Sequence, residues 1–138
     1  SGRAAAHGRH RAARGMTGGG TTLAKQYLEL VSEDVDALVA LHERVHGVSF
    51  GAPDPHLGQA RVARCADGSL IAIRRPLAAH EQPIVRSYLA VDDIDRAVRD
   101  AVTVGAVTVW GPERLGPWGA FAILFHGQLQ LALWQAPP

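Results

Sequence analysis

The string His42-Glu43-Arg44-Val45-His46 has the pattern of a zinc peptidase, in which two imidazoles one helical turn apart bind the metal and the glutamate acts as base. Such a site needs a third ligand. The extended form of the motif fails because Ser49 stands where a glycine is required, and no glutamate occurs between Glu43 and Glu81 to complete the set. The segment therefore reads as part of an amphipathic helix, with His42 and His46 in place of aromatic core residues and Glu43 and Arg44 in solvent. His56, His80 and His126 fall in expected loops and turns without a spacing that unites them, and read as surface histidines. Gly18-Gly19-Gly20 precedes the first expected strand instead of following one, so nothing resembles a phosphate-cradling loop. A second kind of chemistry lies in two alternating stretches. Period-two alternation puts Tyr27 and Glu29 on one face of residues 26–31, and Arg86 and Tyr88 on one face of residues 85–91.

The elements that must position these residues occur twice. Residues 26–31 form an extended run, Ser32-Glu33-Asp34 supplies helix-capping chemistry, and Val35, Leu38, Leu41, Val45 and in part His42 share one face of a helix that Gly47 closes. Strand-like stretches follow at 48–50, 60–65 and 69–74, the last two joined by Asp67-Gly68, a hairpin signal. After a polar linker at 76–83, flanked by prolines, the order begins again. Strand 85–91 leads to Asp93-Ile94-Asp95 as the first strand led to Asp34-Val35-Asp36, and the second helix closes at Gly105. Stretches 107–110, 120–125 and 129–134 complete the repeat, with Gly-Pro and Gly-Pro-Trp-Gly expected to break the chain between the first two. Two copies of strand, helix and three strands imply two sheets, each covered on one face by a helix.

Composition bounds the function classes. At 138 residues, 47% hydrophobic and 20% charged, the chain has the makeup of one globular domain that needs neither disulfide nor metal to hold a core. Cys65 has no partner for an internal bridge and reads as a small buried hydrophobe, which suits a reducing cytoplasm. No apolar run is long enough to span a membrane and no signal peptide is evident, so a cytoplasmic protein is expected. The formal charge of +1 hides an asymmetry: Arg3, Arg9, Arg11 and Arg14 lie in an Ala/Gly-rich leader at 1–22, and without them ten basic residues face 13 acidic ones. A mildly acidic body argues against a nucleic-acid partner.

From residue 26 to 135 the order of elements is similar to that of the vicinal-oxygen-chelate superfamily, the group of glyoxalase I, the bleomycin-resistance proteins and the extradiol dioxygenases. Tyr88-Leu89-Ala90-Val91-Asp92-Asp93-Ile94-Asp95-Arg96-Ala97-Val98 resembles the strand-to-helix entry of the second module, and Gly111-Pro112 through Gly116-Pro117-Trp118-Gly119 its glycine-proline loop. Phe125-His126-Gly127-Gln128 departs from the usual Asp-Pro-x-Gly-Asn turn before the last strand. The resemblance implies an α+β fold of two βαβββ modules forming a half-open β-barrel. It gives a single domain over 23–138, with module one at about 25–75, the linker at 76–83 and module two at about 84–135. It further implies a concave sheet that holds a small ligand, and sheet edges that pair in a homodimer.

In metal-dependent members a divalent ion is held by His, Gln or Glu side chains on the first and closing strands of the modules. The matching positions here are Tyr27, Arg86 and Ala132, with Gln130 as the nearest alternative. Arginine cannot ligate a metal and alanine has no donor, so no metal and no cofactor are expected. The expected ligand-binding residues are Tyr27, Glu29, Arg86 and Tyr88, with Trp110, Trp118 and Phe121 at the rim. This makeup suits a protein that sequesters or carries an aromatic or cationic small molecule, as in antibiotic resistance. The alternative is an enzyme of the superfamily, a lyase, isomerase or dioxygenase, with a metal in a non-standard site or a metal-free mechanism in which Glu29 is the base and Arg86 steadies an oxyanion. A structural dimer is a third reading.

Overall fold

The computed structural model describes residues 25–138, and the expected leader lies outside the described residues. Strands β1 (Gln26–Val31), β2 (Arg61–Arg64), β3 (Leu70–Arg74), β4 (Ile84–Ala90), β5 (Val107–Arg114), β6 (Ala120–His126) and β7 (Leu129–Gln135) combine with helices α1 (Val35–His46) and α2 (Ile94–Thr103). The architecture is the α+β one expected. The two sheets inferred from the repeat, however, are one open sheet of order β2-β3-β1-β4-β7-β6-β5. The two halves merge because β1 and β4, the leading strands of the repeats, pair antiparallel from Gln26↔Leu89 to Val31↔Ile84. Each leading strand pairs parallel with the last strand of its own half, β1 with β3 and β4 with β7.

The halves differ at one strand. Of the stretch 48–50 only Phe50 pairs, as an isolated bridge to Ala63. Pro53 and Pro55 follow closely, and prolines bring no N–H to a ladder. The chain there forms a 3-10 turn at Pro55–Leu57 instead. In the second half Gly111-Pro112 does not break the chain as expected. β5 continues to Arg114, absorbing the glycine and proline in register shifts against β6 between Thr108 and Glu113. The Asp67-Gly68 hairpin forms, with the Asp67 carboxylate accepting from the Ser69 N–H.

Alternation assigns the core. Leu30, Ile71, Ile73 and Phe50 pack with Val39 of α1, while Leu124, Leu133, Ala120 and Ala122 pack with Ile94 and Val98 of α2. The opposite face carries Tyr27, Tyr88, Phe121, Ile123 and Trp134. The expected inner face of α1 is only partly right. Leu41 and Val45 are 50% and 65% exposed, because the buried stripe follows Val35, Leu38, Val39 and His42. His46 is exposed, so it does not replace a core aromatic, and Glu43 is not simply solvated, since it accepts from the Phe50 N–H at 3.0 Å. Cys65 is half-buried beside the α1 cluster. No helix among the described residues is long and apolar enough to cross a membrane.

Candidate functional site

Of the expected residues, Tyr27, Glu29, Arg86, Tyr88, Trp110 and Phe121 line one concave cavity of about 320 Å³ on the face away from the helices. The β1·β4 register brings four of them into two facing pairs, Tyr27↔Tyr88 and Glu29↔Arg86. The tyrosine rings stack with centroids 4.6 Å apart, and Phe121 meets Tyr88 edge-on. Burial, with the neighbouring Glu29 carboxylate adding to it, pushes both phenols well above their usual range, so they remain protonated.

Glu29 is the centre of the floor. Arg86 donates to Oε1 through Nη1 at 2.6 Å, the Tyr88 hydroxyl donates to the same oxygen at 3.1 Å, and Arg74 Nε donates to Oε2 at 3.0 Å. Arg74 then forks onto Glu81 at 2.9 and 2.8 Å, and Glu81 Oε1 also accepts from the Leu77 N–H at 2.6 Å. Arg74 holds the Glu81 carboxyl down to about 2 against the opposing effect of burial. Arg86 Nε donates to Gln130 Oε1 at 2.9 Å, and its guanidinium also interacts with the Tyr88 hydroxyl. Arg74 and Glu81 were not anticipated. Arg74 ends an apolar strand, and Glu81 lies in the stretch read as a linker, so no local pattern marks either one.

Trp118 is the expected residue that the cavity does not include. Its backbone carbonyl accepts from the Trp134 indole at 2.8 Å, its own indole donates to Asp54 Oδ2 at 2.7 Å, and Arg64 lies over its ring. It packs behind the rim because the Gly116–Trp118 turn folds it inward against the main core cluster. His56, read from sequence as a surface residue, is exposed and also forms part of the cavity wall. Trp110 is half-exposed at the mouth, its indole donating to Glu113 Oε2.

A divalent ion does not fit this donor set. Both oxygens of Glu29 and of Glu81 already accept from guanidinium groups, Gln130 Oε1 accepts from Arg86, the phenols hold their protons, and Ala132 offers no donor. Among the described residues no cluster of three His, Cys, Asp or Glu side chains is arranged to hold a metal. His42 and His46 stack on one another at 5.4 Å instead of opening toward a shared ion.

No protein-family model matches the chain, and no curated protein matches it. Solved structures do. A Streptomyces coelicolor methylmalonyl-CoA epimerase variant in complex with 2-nitronate-propionyl-CoA superposes with a TM-score of 0.64 at 16% identity, over 85% of this chain and 100% of that one. The Mycobacterium tuberculosis methylmalonyl-CoA epimerase gives 0.64 at 13% identity, over 81% and 87%. A hypothetical protein of Bacillus halodurans gives 0.60 at 11%, over 81% and 93%. The fold is of the glyoxalase/bleomycin-resistance type. At these identities the likeness concerns the fold alone. The concave face of the sheet, where Glu29 and Arg86 meet, holds the cavity.

Proposed function

We propose that this protein is a metal-independent enzyme of the vicinal-oxygen-chelate superfamily, of the isomerase or lyase class, acting on a small carbonyl compound held in the cup. One observation carries the reading. The Arg86 guanidinium, at a position where metal-dependent members carry a ligand, is fixed on two sides by Glu29 and Gln130 and lines the cavity. A preorganised cation that need not reorient is suited to hold the oxygen of a carbonyl as negative charge develops there. The aromatic and aliphatic wall of Trp110, Phe121, Ile123 and Leu115 suits an apolar or planar remainder of the ligand.

Glu29 is a poor base in this arrangement, because three donors occupy its oxygens, and its role is to orient Arg86. This revises the mechanism in which Glu29 takes the proton. The similarity to two epimerases favours turnover over sequestration, and deprotonation next to a carbonyl is the chemistry an arginine-held oxyanion serves best. A binding protein for an aromatic or cationic molecule would use the same cup without turnover. Its cationic variant is the weaker one, since Arg86 on the floor is itself a cation.

The test is solvent-deuterium incorporation, followed by proton NMR, for methylmalonyl-CoA and a panel of small ketones and thioesters with EDTA-treated protein. Exchange that survives EDTA and falls at least a hundredfold in Arg86→Met supports the reading. Absence of exchange across the panel, or exchange that appears only when a divalent ion is restored, overturns it.

A further inference from the structure

We infer that His56 is the proton-transferring residue of the cup, with Asp54 and Trp118 as positioning residues; this rests on the reading of the cup as an enzyme site. His56 sits in the Pro55–Leu57 turn and lines the cavity. Its Nδ1 lies 3.0 Å from Asp54 Oδ1, and its backbone N–H donates to the same oxygen at 2.8 Å. A carboxylate facing Nδ1 keeps the ring hydrogen there, which leaves the Nε2 lone pair without a partner among the described residues.

Asp54 is itself gripped. Burial works to raise its carboxyl, but hydrogen bonds from the Trp118 indole and from the His56 backbone and ring outweigh it and hold the group below its ordinary range. The indole reaches Oδ2 at 2.7 Å, and Trp118 is anchored through its carbonyl to the Trp134 indole. A chain of contacts thus runs from a fully buried tryptophan on β7 to a half-exposed imidazole at the cavity. The second contact on the ring is Gly116. A Cβ built there would stand 2.5 Å from His56 Cδ2 and 2.9 Å from Nε2, so the ring lies flat on a backbone that only a residue without a side chain leaves open. Held on one edge by a carboxylate and on one face by a glycine, the imidazole has a fixed aim.

The step balances within the site. His56 Nε2 takes the hydrogen from the carbon beside the carbonyl, the C–H electron pair moves into the carbon–carbon bond, and the carbonyl pair moves onto oxygen, where Arg86 holds it. Return of a proton from the imidazolium to carbon regenerates the carbonyl. The net result is exchange, isomerisation or epimerisation, with no external oxidant or co-reactant.

Two readouts test this in the full chain. In 15N NMR of the ligand-free protein, the ring hydrogen of His56 is expected on Nδ1, and Trp118→Phe is expected to mix the two tautomers. In the deuterium-exchange assay, His56→Ala is expected to lose at least a hundredfold of the rate with its melting temperature nearly unchanged. Free imidazole is expected to restore at least tenfold, because the ring is 54% exposed and its site open to solvent. An Nε2–H tautomer, or His56→Ala with wild-type exchange, overturns the role of His56 while leaving the enzyme reading intact. Wild-type protein inactive across the whole panel overturns both.

Discussion

Glu29 and Arg86 are register partners across the antiparallel β1·β4 pair, and their side chains close a 2.6 Å ion pair on the concave face of the sheet. The pair joins the first strand of one repeat to the first strand of the other, so its strength is a property of the seam between the halves. Glu29→Gln leaves the part-buried Arg86 without its counter-charge, while Arg74 keeps Glu81, and is expected to cost about 3 kcal/mol. Arg86→Met is expected to cost less, since Arg74 still neutralises Glu29. Urea denaturation of both variants and the double variant should give a coupling energy above about 1 kcal/mol; additive losses would mean that the pair contributes nothing of its own.

Glu81 sets an acid limit on stability. Its carboxyl is held down to about 2 from an ordinary 4.5, so the folded form binds fewer protons than the unfolded one between those values. The stabilisation is therefore complete above about pH 4.5 and fades as pH falls toward 2. Glu81→Gln is expected to lose on the order of 2 kcal/mol at neutral pH, and the gap between variant and wild type should close on acidification. Melting temperatures at pH 7, 4 and 2.5 check this, and a gap that stays constant contradicts it.

Gly116 has φ +58, and its missing side chain makes room for His56. Gly116→Ala is expected to cost about 1 kcal/mol from the left-handed backbone. The same change should cut deuterium exchange at least tenfold by displacing the imidazole. A variant destabilised by that amount but fully active would separate the glycine from the site.

His42 Nδ1 is buried with no hydrogen-bond partner among the described residues, and burial, helped by His46, holds its imidazole below the ordinary 6.5. The folded protein therefore resists protonating it, and this residue makes stability fall as pH drops below about 6.5. His42→Leu removes the unsatisfied atom and is expected to add about 1 kcal/mol at pH 7, with a larger gain at pH 5. Loss of stability on that change would mean that the imidazole has a partner after all.

What could be read from the chain was whatever repeats or alternates. Asp34 and Asp93 mark the duplicated helix entry, period-two alternation put Tyr27 with Glu29 and Arg86 with Tyr88, and six of seven expected residues meet in one cavity. The pairing of β1 with β4, which turns two expected sheets into one, depends on how the halves dock and leaves no local mark. Glu81 and His56 were hidden for the same reason. Each sits in an irregular, proline-flanked stretch with no periodicity, and its place at the cup is set by a tertiary contact, Glu81 with Arg74 seven residues back and His56 with Gly116 far away in sequence. Trp118 misled in the other direction, because an aromatic within the Gly-Pro-Trp-Gly loop looks like a rim residue, yet its indole is turned back onto Asp54.

Because the seam runs through the middle of the floor, neither repeat owns a working cup. The first contributes Glu29, Arg74 and His56, the second Arg86, Tyr88 and Phe121, and the connecting segment Glu81. A chain cut in that connection would leave Glu29 paired with Arg74 on one fragment and strand Arg86 on the other, and the cup would close only when the fragments found one another again.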